Sequence, residues 1–76
     1  MNENFEELAN AIIVMAVKDW RWAVQMQKKH PRYKPARQRR EECERFFLSE
    51  WFENLTDVDG SFLLRKMKTE VEIDDE

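Results

Sequence analysis

The chain has 76 residues and a mass of 9.3 kDa, enough for one small domain and too little for two. Its one cysteine, one histidine and one glycine exclude an internal disulfide framework, a Cys/His zinc site and a glycine-rich phosphate loop. Hydrophobic residues at 42% predict a folded chain, and charged residues at 38%, with a net charge of -3 at pH 7, predict a soluble one. We expect a single all-α domain over residues 1–76, with three helices at about 4–30, 35–54 and 57–71.

The first predicted helix, 4–30, has apolar residues at three- and four-residue steps, which is the period of one helix face. This predicted core face consists of Phe5, Leu8, Ile12, Ala16, Trp20, Ala23 and Val24. Lys28 and Lys29 suit the negative end of the helix dipole, and Pro31 disfavours helical backbone at the residue before it. The helix is therefore expected to end at about residue 30.

The second predicted helix, 35–54, begins at Pro35, because the fixed φ of proline and its missing N–H suit a first helical turn. Its core stripe consists of Ala36, Cys43, Phe47, Trp51 and Leu55. The first two turns are mostly Arg, Gln and Glu. We therefore expect the C-terminal half of this helix to pack against the other helices.

The third predicted helix, 57–71, opens at Thr56, because an acid follows three residues later at Asp59, the spacing of a capping box. Its core side consists of Val58, Phe62, Leu63, Met67 and Val71. The acidic tail that follows, Asp74 to Glu76, is expected to fray into solvent. The alternative at Asp59 and Gly60 is a tight hairpin turn between two strands, which the flanking sequence disfavours because it lacks period-two alternation.

Nothing in the sequence predicts a membrane segment or a secretory signal. The longest apolar run, residues 11–17, is far shorter than the roughly 20 residues that span a bilayer, and no basic segment precedes it. We expect no membrane partner and a cytoplasmic location.

No group of residues predicts an enzyme, a metal site or a cofactor site. A calcium loop with Gly60 at its sixth position would need oxygen ligands at Leu55 and Lys66. Cys43 lies on a core stripe between two glutamates, which disfavours a thiolate, and His30 lies at a helix end in a basic connection. We therefore expect a non-enzymatic protein.

Charge is divided along the chain into a basic middle and an acidic remainder. The basic segment, residues 28–40, holds seven Lys or Arg and no acid, whereas residues 46–64 hold four acids and no base. Basic side chains interleaved with an aromatic ring can bind nucleic acid. The residues for such binding are Lys28, Lys29, Arg32, Tyr33, Lys34, Arg37, Arg39 and Arg40. A solvated basic connection between two helices is the competing interpretation, and the pI of about 5.2 favours it.

The apolar content exceeds what three short helices can bury. Residues 12–17 are apolar around the whole helix circumference, and the second helix adds a further aromatic cluster. A helix that is apolar all round is buried on every side, so the second side must come from another chain unless helix one is the central element of the domain. We expect a homodimer through helix one.

The segments Glu42 to Phe47, Glu50 to Phe52, Leu55 to Gly60 and Leu63 to Lys66 resemble small proteins encoded by phages and prophages of Gram-positive bacteria. The resemblance covers residues 8–71 loosely and is best from Cys43 to Lys66. It implies an accessory protein made in the host cytoplasm, which works by occupying a host protein or by binding DNA. It assigns no functional residue.

Two functions follow as hypotheses. The first is a non-enzymatic protein that binds a macromolecular partner and inhibits a host protein that handles nucleic acid, since carboxylates can imitate phosphate while aromatic side chains anchor the contact. Its partner-binding residues are Trp22, Glu50, Phe52, Glu53, Asp57 and Asp59. The second is direct nucleic-acid binding by the basic segment.

Overall fold

The protein is all-α. The computed structural model describes the backbone of residues 3–75 and the side chains of residues 4–71. Over that range the chain forms four helices, α1 (Glu3–Lys29), α2 (Lys34–Phe47), α3 (Glu50–Leu55) and α4 (Gly60–Asp75), and no strand. None of these helices is long and apolar enough to cross a bilayer. The predicted class is confirmed, and the predicted count of three helices is wrong.

The extra helix arises from a break at Ser49 inside the predicted helix 35–54. The Ser49 hydroxyl accepts a hydrogen bond from the Phe52 N–H at 3.2 Å and donates one to the Phe46 carbonyl at 2.7 Å. A serine that satisfies a free N–H in this way starts a new helix. Because the break resets the helical phase, Phe52 is fully buried, whereas Trp51, which was predicted for the core, is 58% exposed.

Helix α4 begins three residues later than predicted, because Asp59 and not Thr56 caps it. Asp59 Oδ1 accepts hydrogen bonds from the N–H groups of Ser61 at 3.0 Å and Phe62 at 3.3 Å. Thr56 Oγ1 accepts instead from the Val58 N–H at 3.2 Å, in the turn between α3 and α4. Val58 therefore lies in a loop and is exposed, and the hairpin alternative does not form.

The end of α4 also differs from the prediction. The helix continues to Asp75 and does not stop at residue 71, so the backbone of most of the predicted frayed tail is helical. The side chains of residues 72–76 and the backbone of Glu76 lie outside the part of the chain that the structure describes. On the core side of α4, Leu64 and Met67 are buried, while the predicted core residue Phe62 is half exposed.

Helices α1 and α2 form an antiparallel hairpin, and α4 packs over its middle. A short connection, residues 30–33, requires the two helices to lie side by side. The buried cluster draws on all four helices and consists of Trp20, Val24, Cys43, Phe47, Phe52, Leu64 and Met67. The core therefore lies against the C-terminal half of α1.

Glu44 links three of the helices at the rim of this core. Its carboxylate accepts hydrogen bonds from Trp20 Nε1 at 2.9 Å and from Arg40 Nε at 2.8 Å. Lys68 Nζ of α4 lies 4.0 Å from its other oxygen. Arg40 also donates to Gln27 Oε1 at 3.0 Å. The indole N–H of the buried Trp20 is thus satisfied within the fold.

The N-terminal half of α1 is covered on one side only. Ala9 is buried, and α3 lies against this end of α1, where Phe5, Glu6 and Leu55 line a shared cavity. Phe5 and Leu8, which were predicted for the core, are 54% and 61% exposed. Since α2 ends at Phe47 and α3 has only six residues, the chain has little helix with which to cover this half.

Candidate functional site

A mostly apolar stripe runs along the side of α1 that borders α2 and α3. It consists of five apolar residues and one acid, Phe5, Leu8, Ile12, Met15, Asp19 and Trp22, of which Ile12 and Asp19 are half-buried, and we call it the seam. The steps between these residues alternate between three and four, which is the a/d spacing of a coiled coil. The Met15 side chain is 63% exposed and that of Trp22 is 44% exposed. Large apolar side chains exposed along one helix stripe make the seam a candidate interaction surface.

A shallow groove of about 370 Å³ continues the seam toward α2 and α3. One end of the groove is apolar and is formed by Ile12, Met15, Phe46 and Trp51. The rings of Phe46 and Trp51 pack edge to face, with their centroids 5.3 Å apart. The other end holds an ion pair between Asp19 and Arg39, and Arg39 also lies 3.6 Å from Glu42. The groove thus provides a hydrophobic contact region with a charged end.

The basic segment forms an elbow at one end of the molecule, where α1 ends and α2 begins. The Tyr33 side chain is 43% exposed, and Arg32 and Lys34 beside it are exposed as well. Three of the predicted nucleic-acid contacts make ion pairs within the fold, because Arg37 pairs with Glu41, Arg39 with Asp19 and Arg40 with Glu44. The elbow keeps a basic, aromatic-bearing surface that is smaller than the sequence predicted.

Acidic residues collect at the opposite end, around a recess of about 410 Å³. Glu53, Asp57 and Asp59 line this recess together with the exposed side chains of Leu48 and Val58. We call it the acidic recess. Hydrogen bonds from Ser61 and Phe62 hold the pKa of Asp59 below its ordinary value, so this carboxylate is charged at neutral pH. The recess combines negative charge with apolar contact area.

The structure brings together only part of the predicted partner-binding set. Glu53, Asp57 and Asp59 share the acidic recess, and Glu50 is exposed on the same short helix as Glu53. Trp22 is exposed but belongs to the seam on α1. Phe52 is wrong as a surface anchor, because it is fully buried in the core. Its neighbour on α3, Trp51, is the exposed aromatic residue.

The two residues considered for nucleophilic chemistry lie in different environments. Cys43 is buried in the core cluster, and burial raises the pKa of its thiol, with a further contribution from the Asp19 carboxylate. His30 is exposed at the end of α1. Among the residues whose side chains are described, no group of three or more His, Cys, Asp or Glu could hold a metal ion.

The chain matches no protein-family model, and neither a curated protein nor a solved structure is significantly similar to it. The resemblance to small phage proteins therefore stays a prediction.

The sequence did not predict that Leu8, Met15 and Trp51 are exposed. The helical period places Leu8 and Trp51 on core stripes, and Met15 belongs to a run that is apolar around the whole helix. The alternation of three- and four-residue steps from Phe5 to Trp22 is the sequence signal that could have identified the seam.

Proposed function

We propose that this protein is a non-enzymatic interaction protein that binds a basic surface of a protein partner through the acidic recess. The observation that carries the proposal is the composition of the recess, in which Glu53, Asp57 and Asp59 surround the exposed side chains of Leu48 and Val58. Apolar contact supplies affinity and the carboxylates select a positively charged partner. The resemblance to phage proteins adds that this partner is a host protein. Because carboxylates can imitate phosphate, we infer that the partner handles nucleic acid and is inhibited when it is bound.

Photo-crosslinking tests the proposal in cells. A photoreactive phenylalanine analogue replaces Val58 in the recess, or Gln25 as a matched exposed control on α1. The chain is expressed in Gram-positive bacteria and irradiated. We expect one discrete heavier adduct from position 58 and none of that mass from position 25.

Charge reversal then tests whether carboxylates select the partner. The double variant Glu53→Lys/Asp57→Lys should remove the position-58 adduct, whereas Glu7→Lys on α1 should leave it in place. Asp59 is kept, because it caps α4. An adduct that is indifferent to the double variant, or no adduct at all, would contradict the proposal.

Nucleic-acid binding by the elbow is a second candidate, favoured by the exposure of Tyr33 between Arg32 and Lys34. Labelled single- and double-stranded DNA are titrated at low and moderate salt. Saturable binding that weakens steeply with salt and is lost in Arg32→Glu/Lys34→Glu supports this function. Arg39 and Arg40 are poor choices for reversal, because both make ion pairs within the fold. No saturable binding removes this candidate.

A further inference from the structure

We propose that a second copy of this chain covers the seam, in an antiparallel two-fold dimer built on α1. The inference goes beyond the proposed function, because the seam shares no residue with the acidic recess. Three features of the molecule support this dimer: the area left exposed, the order of the residues along the seam, and the placement of charge at the two ends.

The protein exposes more surface than a compact chain of its mass. Its accessible surface is 6024 Å², whereas a compact monomer of this mass has about 5,000 Å². Its radius of gyration is 13.4 Å, against about 11.4 Å for a compact chain of this length. A stable dimer buries about 800 Å² on each partner. The excess area is therefore large enough to form one such interface.

The order of the seam residues suits an antiparallel copy. From Phe5 to Trp22 the steps are three, four, three, four and three, a series that reads the same in both directions. Reversing one helix therefore sets Phe5 opposite Trp22 of the second copy, Ile12 opposite Met15 and Leu8 opposite Asp19. The first two pairs are apolar and would form knobs-into-holes layers between the two α1 helices. Asp19 keeps its ion pair with Arg39 at the edge of the third layer.

Charge favours the antiparallel arrangement over the parallel one. The molecule is 43 Å long, with the basic elbow at one end and Glu6, Glu7 and Glu50 at the other. Glu70 of α4 lies nearer the elbow but pairs with Arg21 within the chain. An antiparallel pair places each elbow beside the acidic end of the other copy. A parallel pair would place two elbows side by side, each with the exposed Lys29, Arg32 and Lys34, which costs free energy.

The groove beside the seam gives the second copy a second contact. Its apolar end, formed by Met15, Phe46 and Trp51, lies between α1 and the helices that follow it. A partner helix on the seam would therefore also cover these side chains. The two α1–α2 hairpins together would form a four-helix bundle, in which α1 has helices on both sides.

Analytical ultracentrifugation across the micromolar range tests the dimer. We expect twice the 9.3 kDa mass of the chain for the wild type and a monomer for Met15→Glu. Val14→Glu is the matched control, because Val14 is the neighbouring residue, is 49% exposed and lies off the seam. It should stay dimeric, and circular dichroism should show the same helix content in all three. A monomeric wild type, or equal effects of the two variants, would overturn the proposal.

Disulfide trapping tests the orientation in a Cys43→Ala background. A mixture of Phe5→Cys and Trp22→Cys should form a mixed disulfide, because these positions face each other in the antiparallel pair. Phe5→Cys by itself should not crosslink, since its two copies would be about 25 Å apart, beyond the reach of a disulfide. A Phe5→Cys homodimer would indicate parallel helices and overturn the proposed orientation. A monomer that still forms the position-58 photo-adduct would remove the dimer and leave the proposed function standing.

Discussion

Gly60, the first residue of α4, lies directly against the backbone carbonyl of Phe47 at the end of α2. A Cβ atom at position 60 would collide with that carbonyl oxygen and would also press on the Phe52 ring at 3.1 Å. The single glycine of the chain is therefore required by the close approach of two helices. Its backbone φ is not positive, so conformational freedom is not the reason.

We expect Gly60→Ala to lower the free energy of unfolding by about 1–3 kcal/mol, the usual cost of overpacking a buried site. A loss of stability would be informative, because helix propensity by itself favours alanine over glycine by about 1 kcal/mol. Urea unfolding followed by circular dichroism measures it. Gln38→Ala, at an exposed residue of α2, is the control and should stay within about 0.5 kcal/mol of the wild type. A stabilised Gly60→Ala protein would show that α2 and α4 do not approach as described.

Glu44→Ala should lower the free energy of unfolding by about 2 kcal/mol, because it removes hydrogen bonds to a charged acceptor and leaves the buried Trp20 N–H unsatisfied. Glu42→Ala is the matched control on the same helix. Its carboxylate makes an exposed ion pair with Arg39 at 3.6 Å, which is worth less than about 1 kcal/mol. Thermal and urea unfolding of both variants measure the difference, and equal losses would contradict this role of Glu44.

Lowering the pH should reduce the free energy of unfolding, because it protonates the Glu44 carboxylate. Burial raises the pKa of Glu44, but hydrogen bonds from Arg40 and Trp20 outweigh it, so the folded pKa lies below the ordinary value. The stabilisation is then complete above the unfolded pKa of about 4.3 and is lost as the pH falls through the folded pKa. We expect the stability difference between the wild type and Glu44→Gln to be larger at about pH 7 than at about pH 3. A difference independent of pH would refute this.

Cys43 should resist modification while the protein is folded. Burial within the core raises the pKa of its thiol and also keeps reagents away from its sulfur, so little accessible thiolate is present in the folded protein. We expect its reaction with an aromatic disulfide reagent to be at least about tenfold slower than that of an exposed cysteine in Cys43→Ala/Ser61→Cys. Adding denaturant should bring the two rates together. Equal rates in the folded state would mean that Cys43 is accessible.

The helix class and two of the helix boundaries could be predicted from local sequence. The end of α1 follows from Lys28, Lys29 and Pro31, and the start of α2 from Pro35, because these residues act on the backbone beside them. The break at Ser49 was missed because the apolar residues on both sides continue the helical period. Ser49 becomes a cap only when Phe52 can be buried after the turn.

The candidate surfaces were predictable in composition and less so in location. The acids of the recess, Glu53, Asp57 and Asp59, lie within seven residues of the chain, so their clustering follows from chain order. The pairing of Arg39 and Arg40 follows only in part. Their contacts with Glu42 and Glu44 are at helical spacing on α2, whereas Asp19 and Gln27 lie on another helix. The location of the seam does not follow from chain order, because either side of an all-round apolar helix can become the covered one.

The sequence by itself determined that this chain is helical, bipolar in charge and richer in apolar residues than so short a domain can bury, since these properties depend on composition and local spacing. The tertiary structure decided which apolar residues remain outside. Packing α4 against Trp20 and Val24 covers one side of α1 and leaves Leu8 and Met15 exposed on the other. The physical reason is that a helix face is buried by whichever partner helix can reach it, and that reach is set by where the chain turns.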